Sequence, residues 1–169
     1  RQQGYAQAPD RTPRRRQRTA RLRPSRLPAA LRTPERLVLF HAEGNGWPAR
    51  TQPRPPTELV HCVASRPGTG ERFCALVRPS AGLSPTTPAN LELSATSLLG
   101  GMEPGQFVTA WRAFLRPDDV LCGWGHFASR LISDAGAELP AHVDLHAVCN
   151  ERLRRRVGKD VRQLRLDQR

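Results

Sequence analysis

Two polar side chains near the end of the first apolar run could carry chemistry. The run LVLFHAEGNG at residues 37–46 is typical of a short buried strand followed by a glycine-containing turn. Because successive side chains of a strand alternate between its faces, His41 and Glu43 are predicted to share one face, and Phe40 and Ala42 the other. Two polar groups side by side before a tight turn are a typical place for catalysis or metal binding.

The other histidines offer a second possible cluster. His126 could join the first pair near one end of a sheet, while His142 and His146 bracket Asp144 in a spacing that resembles a loose metal site. Histidines near strand ends are more often solvated or satisfied within the core, and we favour that interpretation. The sequence contains no Ser/His/Asp elbow, phosphate loop or dinucleotide-binding fingerprint.

Apolar periodicity and turn residues predict five strands and four helices. The strands lie within residues 37–46, 58–64, 71–77, 119–124 and 143–145, and the helices within residues 91–99, 104–115, 126–135 and 145–156. A short glycine-containing loop predicts that the second and third strands form an antiparallel hairpin. The first and fourth strands are continuously apolar, so we expect them side by side in the centre. This order predicts an α/β fold with a mixed sheet of about five strands flanked by helices.

The net charge of +12 is concentrated at the two ends of the chain. Residues 1–36 carry eleven arginines and two acidic residues, residues 151–169 carry eight basic and three acidic residues, and residues 37–150 have a net charge of −2. Basic arms on a near-neutral body are typical of a polyanion binder. A compositional origin is the alternative, since one lysine against 26 arginines indicates a GC-rich genome. The residues expected to contact RNA or single-stranded nucleic acid are Arg14, Arg15, Arg16, Arg18, Arg21, Arg23, Arg152, Arg154, Arg155, Arg156 and Lys159.

Length and composition suit one domain between two basic arms. Residues 1–34 are predicted to be a flexible, proline-dotted leader and residues 158–169 a basic tail, with the folded domain at 35–157. No apolar run approaches the roughly 18 residues needed to cross a bilayer, so we expect no membrane contact and a cytoplasmic location. Since the chain begins with arginine, it could be a fragment. The four cysteines, predicted to be buried reduced thiols, are Cys62, Cys74, Cys122 and Cys149.

The order of elements and several short motifs resemble the ribonuclease H-like fold of the DEDD 3′–5′ exonucleases, over most of residues 37–157. In that family the first strand ends in Asp-x-Glu and a small-residue turn, at the place of the HAEG of residues 41–44. Residues 111–115 resemble the family helix that ends in Phe-Leu, and residues 120–128 resemble the strand and helix start that follow. Residues 143–148 resemble its later strand-to-helix segment.

The same resemblance implies a site that has lost most of its metal ligands. Such exonucleases hold two divalent metals on four carboxylates, which activate water and stabilise the phosphoryl transition state. His41 stands where the first aspartate would be, Ala128 replaces another, and the last histidine–aspartate motif would fall after residue 160, where no histidine occurs. Only Glu43 matches the family pattern, so His41 and Glu43 are interpreted as vestigial catalytic residues and no cofactor is expected. Mg²⁺ or Mn²⁺ would be needed only by an active nuclease.

A second resemblance concerns residues 43–48 and 111–124. These segments look like a domain appended to bacterial DTW-type tRNA-uridine aminocarboxypropyltransferases, whose own motif does not occur here. The sequence therefore predicts a catalytically degenerate exonuclease-like domain that contributes to RNA or tRNA binding through its arms. Two alternatives stay open: an active metal-dependent 3′–5′ exonuclease, and a protein-interaction module fused to a tRNA-modifying enzyme.

Overall fold

A five-stranded mixed sheet forms the centre of the fold, as the sequence predicts. The computed structural model describes residues 33–140 and 142–154. Of the two arms predicted to be disordered, the leader at 1–34 lies outside these residues except for 33 and 34, and the tail at 158–169 lies outside them. The strands are β1 (Leu37–Asn45), β2 (Glu58–Arg66), β3 (Glu71–Leu76), β4 (Val120–Gly123) and β5 (His142–Asp144).

The strand order is β3-β2-β1-β4-β5, which confirms the predicted central place of the first strand. β1 pairs antiparallel with β2, and β2 with β3, so residues 58–76 form the predicted hairpin. β1 pairs in parallel with β4, and β4 with β5. A β-bulge between Glu43 and Gly44 interrupts the register of β1 against β2. The carboxyl ends of β1, β4 and β5 consequently point to the same edge of the sheet.

Helices flank both faces of the sheet, and the main core lies between the sheet and two of them. They are α1 (Thr87–Leu91), α2 (Ala95–Leu99), α3 (Pro104–Phe114), α4 (Phe127–Asp134) and α5, which comprises residues 145–154. Four-residue spacing puts Phe107 and Trp111 on one side of α3, where both are at most 1% exposed. They pack with Leu131 and Ile132 of α4 against the apolar face of β1. None of the described helices is long and apolar enough to cross a membrane.

The second face of the sheet is covered only in part. Leu37, Cys122 and Val143 are buried there, and Leu145 and Val148 of α5 pack against them. Beyond this small cluster, the same face of β1, β2 and β3 is open to solvent, and Leu39 is 42% exposed. The alternation predicted for β1 is therefore confirmed, since Phe40 and Ala42 are buried while His41 is exposed and Glu43 half-buried.

A close approach between β1 and β4 requires the glycine at position 123. A Cβ atom added to Gly123 would lie 2.7 Å from Cζ of Phe40, closer than two carbon atoms can approach. The Phe40 ring is fixed from other directions as well, because it meets the rings of Trp111 and His142 edge-on at 6.4 Å between centroids. The aromatic core thus packs directly on the backbone of β4.

Several predictions about burial were wrong. Cys62 and Cys122 are buried free thiols, as expected, but Cys74 and Cys149 are exposed. Cys74 lies on the open face of β3, whereas its apolar neighbours Phe73 and Ala75 point to the opposite face. Arg66, predicted to lie in a turn, ends β2 and is 1% exposed.

Candidate functional site at the carboxyl edge of the sheet

The polar residues singled out in the sequence lie at or near the carboxyl ends of the three parallel strands. His41 and Glu43 lie on β1, beyond Leu39, the last residue of this strand that pairs with β4. His126 follows β4 and precedes the first residue of α4. Asp144 ends β5 and precedes α5. The topology, rather than proximity in sequence, brings these segments to one edge.

His41 and Glu43 form an exposed pair. Nε2 of His41 lies 2.8 Å from Oε1 of Glu43, with 57% and 40% of the two side chains exposed. Glu43, the carboxylate that matches the exonuclease pattern, thus contacts His41, which stands in place of the expected aspartate. A carboxylate that already has a neighbouring hydrogen-bond donor, and no second carboxylate beside it on the strand, is a weak site for a hard divalent cation.

Asp144 organises the turn between β5 and α5. Its Oδ1 accepts hydrogen bonds from the backbone N–H groups of Gly125, His146 and Ala147, at 3.0, 3.0 and 3.3 Å. The last two are the donors that an N-terminal helix cap satisfies. Oδ2 of Asp144 lies 3.5 Å from Nε2 of His126. Asp144 therefore joins β4, β5 and α5 at this edge.

The same contacts set the charge state of Asp144. Partial burial disfavours its ionised form, but the hydrogen bonds from Gly125 and Ala147, the nearby His126 and the hydrogen bond from His146 outweigh that effect and lower the pKa of the carboxyl below its ordinary value. Asp144 is therefore ionised throughout the physiological range, as an anion held by backbone donors.

Exposed aromatic rings flank His126. Trp124 is 61% exposed, and its ring lies 5.3 Å from that of His146 between centroids, tilted by 53°. Phe127, the first residue of α4, is 44% exposed, and the guanidinium of Arg130 lies over its ring at 5.7 Å. We call these residues the aromatic edge: Trp124, Phe127, Arg130 and His146. From the sequence, Phe127 was predicted to face inward on its helix and Trp124 to end a strand, so the exposure of Phe127 corrects the prediction and that of Trp124 was not foreseen.

The described residues contain no group of three or more His, Cys, Asp or Glu side chains placed to hold a metal ion. The possible trio of His41, Glu43 and His126 is divided, because His126 contacts Asp144 instead. The possible site at His142, Asp144 and His146 does not form either. His142 is 4% exposed with its ring against Phe40, and the His146 ring lies on Trp124.

Ala128, at the position that the resemblance assigns to an aspartate, is 3% exposed and belongs to the main core.

Asn45, the last residue of β1, has a structural role that the sequence did not reveal. Asn45 is fully buried, and its Oδ1 accepts from the backbone N–H of Ser84 and from Oγ1 of Thr87, while its Nδ2 donates to the carbonyl of Gly82. It fixes the loop before α1 to the end of β1.

Few of the predicted nucleic-acid contacts fall within the described residues. Arg152 and Arg154 are exposed near the end of α5. The remaining predicted contacts lie outside the described residues: Arg14, Arg15, Arg16, Arg18, Arg21, Arg23, Arg155, Arg156 and Lys159. Their contribution stays a prediction.

The fold is similar to that of E. coli Exonuclease I, solved in complex with a dT13 oligonucleotide, with a TM-score of 0.50 and 11% sequence identity. The match covers 64% of this chain and 27% of Exonuclease I, so this chain spans about a quarter of that enzyme's length. No protein-family model and no curated protein matches the sequence. The chain thus has an exonuclease-like, ribonuclease H-like α/β fold. The resemblance to the domain of DTW-type transferases has no support among these comparisons.

Proposed function

We propose that this chain is an exonuclease-like domain that binds single-stranded nucleic acid, mainly RNA, without hydrolysing the bound strand. The observation that carries the proposal is the exposed Trp124 ring at the carboxyl edge of the sheet. Burying such a ring against a base removes apolar surface from water, and base–aromatic stacking contributes about 1–3 kcal/mol per base.

The residues around Trp124 fit the same ligand. Phe127, at the start of α4, offers a second exposed ring three residues further along the chain, and Arg130 adds a cation beside it. Bases can stack on both rings because every base has an apolar face, whatever its sequence. The likeness to an exonuclease that was solved with an oligonucleotide supports this choice of ligand over a protein partner.

Phosphate contacts are assigned to the basic arms. α5 begins at the aromatic edge, and Arg152 lies eight residues beyond Asp144. At 1.5 Å of rise per residue, this separation is about 12 Å along the helix axis. Arginine contacts to phosphate orient a strand without reading its bases, so binding should tolerate many sequences.

The absence of hydrolysis is inferred from the metal chemistry of phosphoryl transfer. Two-metal catalysis needs several carboxylates around a pair of cations. In the part of the chain that the structure describes, Glu43 is bound to His41, and Asp144 is held by three backbone donors and His126. Neither carboxylate has a third ligand beside it that would complete a metal site.

A binding experiment with two matched substitutions tests the proposal. Affinities for fluorescein-labelled oligo(U) and oligo(dT) would be measured by anisotropy at low salt for the natural chain, Trp124→Ala and Leu99→Ala. We expect Trp124→Ala to weaken binding by about 5- to 150-fold, the equivalent of about 1–3 kcal/mol. Leu99 is 45% exposed on α2 and serves as the control, which should bind normally. Undetectable binding by the natural chain, or equal affinities for all three, would refute the proposal and favour a protein-interaction module.

A further inference from the structure

The open face of β1, β2 and β3 carries a second cluster of reactive side chains, which the proposed function does not use. In the sheet register, Val63 lies opposite both His41 and Cys74, and His61 lies opposite Glu43. Alternate residues of a strand share a face, so His61 and Val63 project from the same side as Cys74 and His41. Three neighbouring strands thus place a thiol, two imidazoles and a carboxylate on one solvent-facing surface.

The thiol and one imidazole are in direct contact. Sγ of Cys74 lies 3.6 Å from Nε2 of His61, within hydrogen-bonding distance for sulfur. Cys74 is exposed and His61 half-buried. A thiol attacks electrophiles through its thiolate, and a neighbouring base that accepts the proton is the usual means of activation.

The surroundings of His61 favour a ring that can accept this proton. Partial burial lowers the pKa of His61, Glu43 opposes that shift and His41 adds to it. The net result is a neutral imidazole near pH 7, able to accept at Nε2 in the tautomer that carries its proton on Nδ1. Glu43 and Arg72, on the strands to either side, are the other charged groups on this face. The negative charge of Glu43 favours the imidazolium form of His61 once the proton has moved.

A groove leads to the sulfur. It has a volume of about 390 Å³ and runs across the three strands. Its lining includes Leu39, Val63, Ser65, Arg72 and Cys74. Its size suits a small molecule, and its walls near the thiol are largely apolar side chains. Arg72 precedes Cys74 by two residues on the same face of β3, so that the groove has one cationic wall.

We propose that Cys74 and His61 form a nucleophilic thiol site that is modified by small electrophilic carbon compounds entering this groove. The sulfur of Cys74 forms a bond to the electrophilic carbon, the bond from that carbon to its leaving group breaks, and the leaving group departs with the electron pair. The thiol proton passes to Nε2 of His61. The cysteine becomes a thioether, without oxidation or reduction.

The other three cysteines serve as references for the reactivity of Cys74. Burial raises the pKa of the Cys62 thiol to about 12, with the nearby Cys74 adding to the shift, and burial raises that of Cys122 to about 11, so both stay protonated and shielded. Cys149 is exposed on α5 and serves as an internal reference for an accessible thiol. The site is thus distinguished by its basic neighbour rather than by exposure.

Alkylation of the full chain by iodoacetamide at pH 7, followed by peptide mass spectrometry, tests the assignment. We expect Cys74 to react on the order of tenfold faster than Cys149, in keeping with base assistance. His61→Gln should reduce Cys74 to the rate of Cys149 without changing Cys149, whereas Leu99→Ala, at an exposed position on α2 outside the groove, should leave both rates unchanged. Labelling of the buried Cys62 and Cys122 would show that a variant has unfolded. In that case, the proposal is tested by the rates of Cys74 and Cys149 in the natural chain. Equal rates at these two thiols, or a Cys74 rate that survives in folded His61→Gln, would overturn the proposal.

Discussion

Arg66 and Asp119 form a fully buried ion pair that joins the end of β2 to the residue before β4. Nη2 of Arg66 donates to Oδ2 of Asp119 at 2.6 Å and Nε donates to Oδ1 at 3.3 Å, with 1% of each side chain exposed. Glu71 also pairs with Arg66, and the ring of Phe114 lies 5.1 Å below the guanidinium. One buried cation therefore connects the hairpin, α3 and the parallel half of the sheet.

Removal of the buried acid should destabilise the fold strongly. We expect Asp119→Ala to lower the free energy of unfolding by about 3–5 kcal/mol, because Arg66 would keep a buried charge with only its half-exposed partner Glu71. The measurement is urea denaturation followed by circular dichroism. The adjacent Asp118 provides the control, since its pair with Arg36 is about half exposed. Asp118→Ala should cost at most about 1 kcal/mol, and similar losses for the two variants would contradict this account.

Asp144 should stabilise the fold in a pH-dependent way. Its pKa is lower in the folded chain than in the unfolded one, so its contribution is complete above the unfolded pKa of about 3.9 and is lost as pH falls through the folded value. Asp144→Ala should therefore lower the free energy of unfolding by about 1 kcal/mol at pH 7, the usual cost of replacing a helix-capping residue by alanine. The difference from the natural chain should shrink below about pH 4. Denaturation at pH 7, 5 and 3 checks this, and a difference that grew toward acid would have the wrong sign.

The pair at His41 and Glu43 should not support hydrolysis. With Mg²⁺ or Mn²⁺, the purified chain is expected to leave single-stranded RNA and DNA intact on a denaturing gel. Glu43→Ala should change the free energy of unfolding by less than about 1 kcal/mol, as for other exposed pairs, and should leave nucleic-acid affinity unaltered. Metal-dependent degradation that disappears in Glu43→Ala would instead establish the active exonuclease.

Salt dependence should separate the contribution of the arms from that of the aromatic edge. For single strands, the slope of log affinity against log salt is about −0.7 per neutralised phosphate, so four to six contacts would give about −3 to −4. Deletion of residues 1–32 should flatten this slope. The deletion stops there because the carbonyl of Pro34 accepts a hydrogen bond from the N–H of Gly68 within the fold.

Two double variants refine the same measurement. Arg152→Gln with Arg154→Gln should flatten the slope by about 1.4, the equivalent of two phosphates. Arg50→Gln with Arg54→Gln removes the same charge from the exposed loop between β1 and β2 and should leave it unchanged. A slope near zero in the full chain, or equal slopes in all variants, would mean that the arginines are compositional.

The strands could be predicted because their pattern is local, whereas the contacts at the two candidate sites depend on register. The apolar run from Leu37 to Phe40, followed by a glycine-containing turn, was enough to place β1. The contact of Cys74 with His61 needs the alignment of β2 with β3, which no single segment encodes. Arg66 was assigned to a turn because a proline and two glycines follow it within four residues. Its burial depends on the distant Asp119, since arginine is rarely buried without a partner.

The contact between Phe40 and Gly123 also limits how related sequences can change. A side chain at position 123 would need the space that the Phe40 ring fills, and a smaller residue at position 40 would leave a void beneath Trp111 and His142. The two positions are 83 residues apart in sequence, yet a substitution at one should be accepted only together with a compensating substitution at the other. Among homologous chains, positions 40 and 123 are therefore expected to covary, large with glycine and small with alanine or serine.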